Sequence, residues 1–309
     1  MKCRICGNEA NISLKAYNIG LCSQDFISFF EKQVAVTIRK YVLFDKGDIP
    51  LVAVSGGKDS LSLWHFLHSF GYRADGLYID LGIGDYSALS YQKSKQMADR
   101  LGRRLLRFSL SATLEKGIAE LARMAKRQPC SLCGMLKRYV MNKACVEEGY
   151  TVLATGHNLD DEASALFGNL LYWKKEYLWK KDIILKGRPR LAKKVKPFFL
   201  RSEKEVAAYA VVNGIDYIYE ECPYSLKAKS LFYKGLLNKV EEASPATKIR
   251  FVKGYLEMIR DEQPGPESEP SYCSRCGYPS YAETCNFCRL IERFGRGKEK
   301  YLEVYEPHA

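Results

Sequence analysis

No stretch of this sequence stays apolar for the roughly 20 residues that a membrane-spanning helix needs, which argues against a bilayer-spanning protein. The opening MKCRICG has neither the charged nor the apolar region of a secretion signal, so a cytosolic setting is expected and export is not. Both common phosphate-loop signatures are missing as well. Neither G-x-x-x-x-G-K-[ST] nor G-x-G-x-x-G occurs, which argues against a Walker-type NTPase and a dinucleotide-binding Rossmann domain. Acidic residues are the minority, 36 against 48 Lys and Arg for a formal charge of +12, so an anionic partner is favoured and nucleic acid leads the candidates. There is no internal repeat and no composition typical of large-scale disorder.

Cysteine, by contrast, is plentiful. Its 11 copies fall into close pairs within a chain of 309 residues, a pattern of metal or sulfur chemistry with reduced thiols more than of disulfides. Cys3, Cys6 and Cys22 form a first group, Cys130, Cys133 and the distant Cys222 a second, and Cys273, Cys276, Cys285 and Cys288 a third. Cys145 stands alone in a helical stretch and reads as a small buried hydrophobe.

Between the outer groups, short apolar segments alternate with helical ones. Leu51 to Val54, Gly76 to Ile79, Leu105 to Leu110, Thr151 to Ala154 and Tyr217 to Tyr219 read as strands, with LSLWHFLHSF, YQKSKQMADRLG and KEVAAYAVVNG as helices between them. The expected class is α/β with parallel strands and crossover helices, and a ligand site at the carboxyl ends of the strands. DEQPGPESEP, at 261–270, reads as a linker.

At one such strand end stands SGGKDS, residues 55–60. Consecutive glycines let backbone N–H groups converge on an anion, and the start of the following helix adds its positive end. Phosphate is the expected occupant. Lys58 would neutralise phosphate charge, whereas Asp59 would repel it without an intervening cation such as Mg2+. The stretch ATGHNLDDEA brings His157, Asp160 and Asp161 after another strand. Taken alone it reads as a helix cap, and its position beside the loop turns the reading towards nucleotide binding.

Three thiols in the second group, without an evident fourth ligand, leave either an open coordination position or redox-active sulfurs. The third group, Cys273-x2-Cys276-x8-Cys285-x2-Cys288, has the two paired knuckles of a tetrahedral structural zinc site. The first is less regular: Cys3-x2-Cys6-x15-Cys22-x2-Asp25 places a carboxylate where a fourth zinc ligand belongs, and carboxylates are uncommon in structural zinc sites.

SGGKDS resembles the signature of the PP-loop pyrophosphatases, which hold the pyrophosphate of ATP and release AMP from an adenylated substrate. The resemblance implies that Ala53, Ser55, Gly57, Lys58, Ser60, Ile79, Gly156 and Asp161 bind the nucleotide, and that Asp59 places Mg2+. With LGIGDYS, CSLCGMLKRY, ATGHNLDDEA, EECPYS and CSRCGYP…CNFCR, nearly the whole chain resembles the TtuA group of tRNA 2-thiouridine synthetases, related to cytosolic thiouridylases. Asp25 departs from the His or Cys usual in that group.

That resemblance implies a PP-loop catalytic domain at 31–260, an N-terminal zinc-finger module at 1–30, and a linker with a zinc ribbon at 261–309. It also implies a [4Fe–4S] cluster on Cys130, Cys133 and Cys222, with two zinc ions in the outer modules. ATP would adenylate the C2 oxygen of a tRNA uridine, and sulfide presented by the iron without a protein ligand would replace it. Asp59, Lys137, Asp161, Cys130 and Cys222 are the implied catalytic residues. Lys137 follows Cys133 by four residues and so shares its helix face.

A persulfide on Cys130 resolved by Cys222, without iron, is the competing route. The resemblance favours the T-loop uridine 54 over the wobble uridine 34. It implies a thiocarboxylated ubiquitin-like carrier or free sulfide as sulfur source, and a homodimer. The basic, aromatic run WKKEYLWKKDIILKGRPRLAKKVK and the later RFGRGKEK are candidate RNA contacts. Two other classes stay open. An amide-forming or small-molecule PP-loop ligase would use SGGKDS but not the three central cysteines, and a noncatalytic zinc-ribbon RNA-binding adaptor would use the terminal modules but not the ATP loop.

Overall fold

Apolar spacing along the chain sets its elements. The computed structural model describes residues 1–173, 177–178, 183–225, 229–261, 271–295 and 302–307. Residues 262–270 of the expected linker, and parts of both basic runs, lie outside the described residues. A hairpin of β1 (Ile12–Leu14) and β2 (Ile19–Leu21) leads into α1 (Ser23–Lys40), whose Phe26, Phe30, Val34 and Ile38 recur every fourth residue and are all buried. The chain then alternates through β3 (Pro50–Val54), α2 (Lys58–Ser69), β4 (Asp75–Asp80), α3 (Gly84–Leu101) and β5 (Leu105–Ser109). Three helices follow, α4 (Leu110–Leu114), α5 (Ile118–Met124) and α6 (Pro129–Glu147), before β6 (Val152–Thr155) and α7 (Leu159–Leu171). β7 (Ile184–Leu185), β8 (Lys193–Val195), α8 (Glu203–Val212), α9 (Lys229–Ala243) and α10 (Thr247–Asp261) complete the central part. The last cysteines lie on β9 (Ser271–Tyr272), β10 (Pro279–Ser280), α11 (Asn286–Phe294) and the turns between them, and β11 (Leu302–Tyr305) ends the chain's described structure.

Seven strands form one sheet in the order β11-β5-β4-β3-β6-β8-β7. The five inner strands are parallel, as expected, and β11 and β7 close the edges antiparallel. β3 is central. From it the chain steps to β4 on one side, and β6 returns on the other, which puts the topological switch point at the carboxyl end of β3, where SGGKDS begins.

Two expectations need correction. Tyr217 to Tyr219 belongs to no sheet among the described residues; its Ile218 N–H donates instead to the Gly56 carbonyl at 2.9 Å. The segment is held beside the SGGKDS turn by that bond, away from the strand ladders of the sheet. Cys222 accordingly follows an extended loop and not a strand. Leu110 begins α4, because the Ser109 hydroxyl accepts from Ala112 N–H at 3.2 Å and caps a helix there.

The C-terminal cysteine region docks on α6. Leu132, Leu136, Tyr139 and Val140 share one buried cluster with Cys273, Cys285, Phe287 and Leu290, and the Tyr139 and Phe287 rings stack at 3.8 Å. Cys145 is fully buried, as expected of a small hydrophobe.

Candidate active site

SGGKDS adopts the form its glycines permit. Gly56 has φ of 73°, and a Cβ there would lie 2.4 Å from the Ser90 carbonyl oxygen, so both conformation and space require glycine. Gly57 is the N-cap of α2. The Ser60 hydroxyl accepts from Ser55 N–H at 3.1 Å and donates to the Gly57 carbonyl at 3.0 Å, tying the loop to the first turn of the helix. The result is a short concave turn at a helix N-terminus, the physical form of an anion cradle.

Gly156 faces this turn from the end of β6. Its Cβ would stand 2.7 Å from the Asp59 carbonyl oxygen and 2.9 Å from Ser60 N, so the two strand ends meet backbone to backbone. Asn158 caps α7 in a capping box with Asp161, and its amide also donates to Asp59 at 3.0 Å. The capping and nucleotide-side readings of this stretch therefore coexist. His157, Asp160 and Asp161 do not form one cluster: Asp160 is buried in an ion pair with Lys248 at 2.5 Å, and His157 Nδ1 contacts Thr155 Oγ1 at 2.9 Å.

Ala53, Ser55, Gly57, Asp59, Ser60, Ile79, Gly156 and Asp161 line one cavity of about 360 Å³, together with Cys133, Lys137 and Cys222. Lys58 does not line it. Its ammonium is 2.7 Å from Glu203 and 3.3 Å from Asp59. Lys234 makes a matching bridge, 2.7 Å from Asp161 and 3.2 Å from Glu203. Burial pushes the Asp59 carboxyl above the usual carboxylate range; Lys58 and Asn158 oppose it, and the Asp161 and Glu203 charges add to it. Burial also acts to raise Glu203, but its two lysine partners outweigh this and hold it low.

The sulfur side is carried by α6. Cys133, Lys137 and Met141, at i, i+4 and i+8, line the cavity from one helix face. Cys222 lines it from the loop after α8. Cys130, one turn before Cys133, does not line it, but its thiol donates to the carbonyl of Tyr224, two residues beyond Cys222, at 3.1 Å. The sulfurs are near enough to influence one another: burial raises the Cys133 thiol, Lys137 opposes this, and the Cys222 and Cys130 sulfurs reinforce it. Three soft thiolates from two elements suit an iron–sulfur cluster that keeps one iron free of protein ligands.

Two tighter groups lie at the ends of the chain. Cys273, Cys276, Cys285 and Cys288 have ligand atoms within 4.8 Å of one another, and so do Cys3, Cys6, Cys22 and Asp25. Asp25 Oδ2 is 3.0 Å from Cys3 Sγ and 3.2 Å from Cys22 Sγ, where a fourth donor must stand. Each set matches the donor number of a four-coordinate zinc ion.

Sequence reasoning missed Glu203, Lys234, Tyr86 and Met141. Tyr86 and Met141 line the cavity, and Tyr86 stands close enough to Cys222 and Cys133 for their charges to add to the rise that burial gives its phenol. No local motif marks Glu203 or Lys234, since each acquires its role only through partners far away in the chain.

The model of the PP-loop domain family matches residues 29–227. The tRNA-5-methyluridine(54) 2-sulfurtransferase of Thermus thermophilus is 44% identical over 98% of this chain and 95% of its own, and that of Pyrococcus horikoshii 43% identical over 98% and 97%. Among solved structures, the U34-tRNA thiolase NcsA from Methanococcus maripaludis with its [4Fe-4S] cluster superposes with a TM-score of 0.81 at 26% identity, covering 97% of this chain and 98% of that one. The order SGGKDS, paired cysteines on α6 and a third cysteine across the cavity is thus set in a family frame spanning almost the entire chain, and the chain belongs to the PP-loop family of tRNA-5-methyluridine(54) 2-sulfurtransferases.

Proposed function

We propose that this protein is an ATP-dependent tRNA sulfurtransferase that converts uridine or 5-methyluridine 54 of the T-loop to its 2-thio form. The observation that carries the reading is the meeting of Cys133 and Cys222 with the SGGKDS turn around one cavity, Cys130 being bonded to the same loop as Cys222. The two sulfurtransferase relatives, more similar than the U34 enzyme, support position 54 over position 34.

Ser55, Gly57 and Ser60 would cradle the phosphates, while Ala53, Ile79 and Gly156 bound the nucleotide. Asp59 and Asp161 would hold Mg2+, which supplies charge neutralisation between carboxylate and phosphate. The uridine C2 oxygen attacks the α-phosphorus and pyrophosphate leaves; sulfide then adds to C2, and AMP departs with the original oxygen. A [4Fe–4S] cluster on Cys130, Cys133 and Cys222 would supply sulfide coordination. Lys137, on the same helix face as Cys133, is positioned to stabilise negative charge as C2 is attacked or AMP leaves. Lys58 reaches the phosphates by exchanging Glu203 for them.

The reading extends to a zinc ion in each terminal group, a thiocarboxylated ubiquitin-like protein or free sulfide as donor, a homodimer and a cytoplasmic setting. No described helix is long and apolar enough to cross a membrane. The test is anaerobic incubation of the iron-loaded protein with ATP, sulfide and unmodified tRNA, followed by nucleoside mass spectrometry. A 2-thio product mapping to position 54, lost in Cys222→Ala, is expected. No thiolated nucleoside, or one at position 34, overturns the reaction or the target respectively, and full activity without iron overturns the cluster.

A further inference from the structure

A second cavity, of about 250 Å³, opens where the C-terminal cysteine region meets α6. That is below the roughly 300–1,000 Å³ of sites for drug-sized ligands, and it suits one heterocycle. Its lining is aromatic and polar together. Tyr139 and Tyr278 stand with ring centroids 4.9 Å apart, Phe287 stacks on Tyr139, and Arg138 and Asn286 bring hydrogen-bonding groups to the rim. Tyr281 lines the cavity, is 74% exposed and has no bonding partner among the described residues, so its ring is open to a stacking partner.

Among the described residues, Arg138 is the one cationic side chain lining the cavity, whose lining also includes Cys285 of the C-terminal cysteine group. Arg138 has no carboxylate partner among the described residues, and Lys194, on the strand face that α6 covers, is close enough for the two cations to disfavour each other. A phosphate beside Arg138 would supply the counter-charge that its guanidinium lacks among the described residues. The position also matters, because Met135, Arg138 and Tyr139 line this cavity from one side of α6 while Cys133, Lys137 and Met141 line the first from a face about 150° further round the same helix. The two cavities therefore flank one helix, so a substrate held at this cavity is held against the element that carries Cys133 and Lys137.

We propose that this cavity takes an unpaired nucleobase of the RNA substrate, stacked against Tyr281 with its phosphate near Arg138, and so holds the RNA against the helix that carries Cys133 and Lys137. The proposal rests on the tRNA reading above. Unpaired bases are commonly recognised by stacking on aromatic rings with hydrogen bonds to their edges, and the lining supplies both.

The test is titration of the full, zinc-loaded protein with unmodified tRNA at several salt concentrations, with ATP affinity measured separately without RNA. Tyr281→Ala is expected to weaken tRNA binding about 5- to 150-fold, since stacking contributes about 1–3 kcal/mol per base. Its salt dependence should be unchanged because no charge is lost, and Tyr281→Phe should restore affinity. Arg138→Gln should weaken binding and reduce the salt slope by about one. ATP affinity and zinc content should remain at wild-type levels in all three. Unchanged tRNA affinity in Tyr281→Ala, or an equal loss in Tyr281→Phe, overturns the base pocket. A wild-type protein that fails to bind tRNA at all overturns the reading beneath it, which keeps the two failures apart.

Discussion

Replacing Gly156 by alanine tests the site where its two halves touch. The added methyl would sit 2.7 Å from the Asp59 carbonyl oxygen, about 0.7 Å short of ordinary contact at 3.4 Å, and 2.9 Å from Ser60 N. Both obstacles are backbone at the start of α2, so no side chain can swing aside; either β6 retreats or the SGGKDS turn does. Overpacking of this kind costs about 1–3 kcal/mol of stability. The functional cost should be larger, because the displaced atoms carry Asp59 and Ser60, and misplacement by about 1 Å can lower a rate about 100-fold. Gly156→Ala is therefore expected to lose about 10- to 50-fold in kcat/KM for ATP, measured by pyrophosphate release with tRNA and sulfide present. Gly149→Ala is the control. Gly149 has φ of 77° with open space around it, so alanine there introduces backbone strain far from the cavity and should lower Tm without lowering kcat/KM. Wild-type kcat/KM in Gly156→Ala, or an equal loss in Gly149→Ala, would refute the claim that this backbone contact sets the geometry of the loop.

Three other outcomes follow from the charges and ligands. Lys234→Met leaves Asp161 and Glu203 without their shared cation and should cost about 1–2 kcal/mol in urea melts, a figure discounted because the two carboxylates are 31% and 34% exposed; Glu203→Gln in the same chain should recover part of it, and an unchanged midpoint would count against the bridge. Asp25→Ala should reduce zinc from two ions per chain to one by elemental analysis, whereas Asp25→Cys keeps both; two zincs in Asp25→Ala would remove Asp25 from the ligand set. Lys194 concerns pH. Burial, then the charges of Lys196 and Arg138, bring its ammonium down to about 8 from 10.5, with Glu162 opposing. Between these values the unfolded chain binds more protons than the folded one, so this lysine's penalty is complete below about pH 8 and is relieved as pH rises to 10.5. Lys194→Met should accordingly be more stable than wild type by up to about 3 kcal/mol at pH 7.5 and by much less at pH 10. An advantage that does not shrink with pH would show that the charge on Lys194 is not its cause.

What the sequence disclosed depended on how locally each feature is determined. SGGKDS was legible because strand, turn and helix start are consecutive, and the turn has the backbone form its glycines allow. Cys133 and Lys137 were legible because helical spacing puts i and i+4 on one face. Cys222 could be brought to them only by resemblance, since nothing within its neighbourhood encodes the loop that delivers it. Glu203 and Lys234 escaped notice for the same reason: ordinary charged helix residues become site residues only when α8 and α9 close over α2 and α7. Tyr217 to Tyr219 was misread because aromatic and β-branched residues favour a half-buried surface in general, and here they pack beside the SGGKDS turn instead of in a sheet. The return of β11 to pair with β5 is likewise a property of the assembled sheet, whose edge is visible only once the strand order is known.

The contact between Ile218 and Gly56 gives this assembly a mechanical consequence. Gly56 is fixed on one side by Ser90, which leaves no room for a Cβ, while its carbonyl accepts from the extended segment leading to Cys222. The third thiol is therefore four residues from a hydrogen bond to the nucleotide turn, and the other two sit on α6, whose same face presents Lys137. A displacement of the turn is transmitted to the Cys222 segment through a single backbone bond, whereas a displacement of α6 moves Cys130, Cys133 and Lys137 together. The chemistry requires the uridine C2 oxygen to meet the nucleotide's α-phosphate and C2 itself to meet the sulfur donor, so the two sites must keep a fixed spacing. Anchoring one thiol to the nucleotide turn and two to a rigid helix keeps that spacing under backbone control, whereas the Lys58 ammonium is held outside the cavity by Glu203.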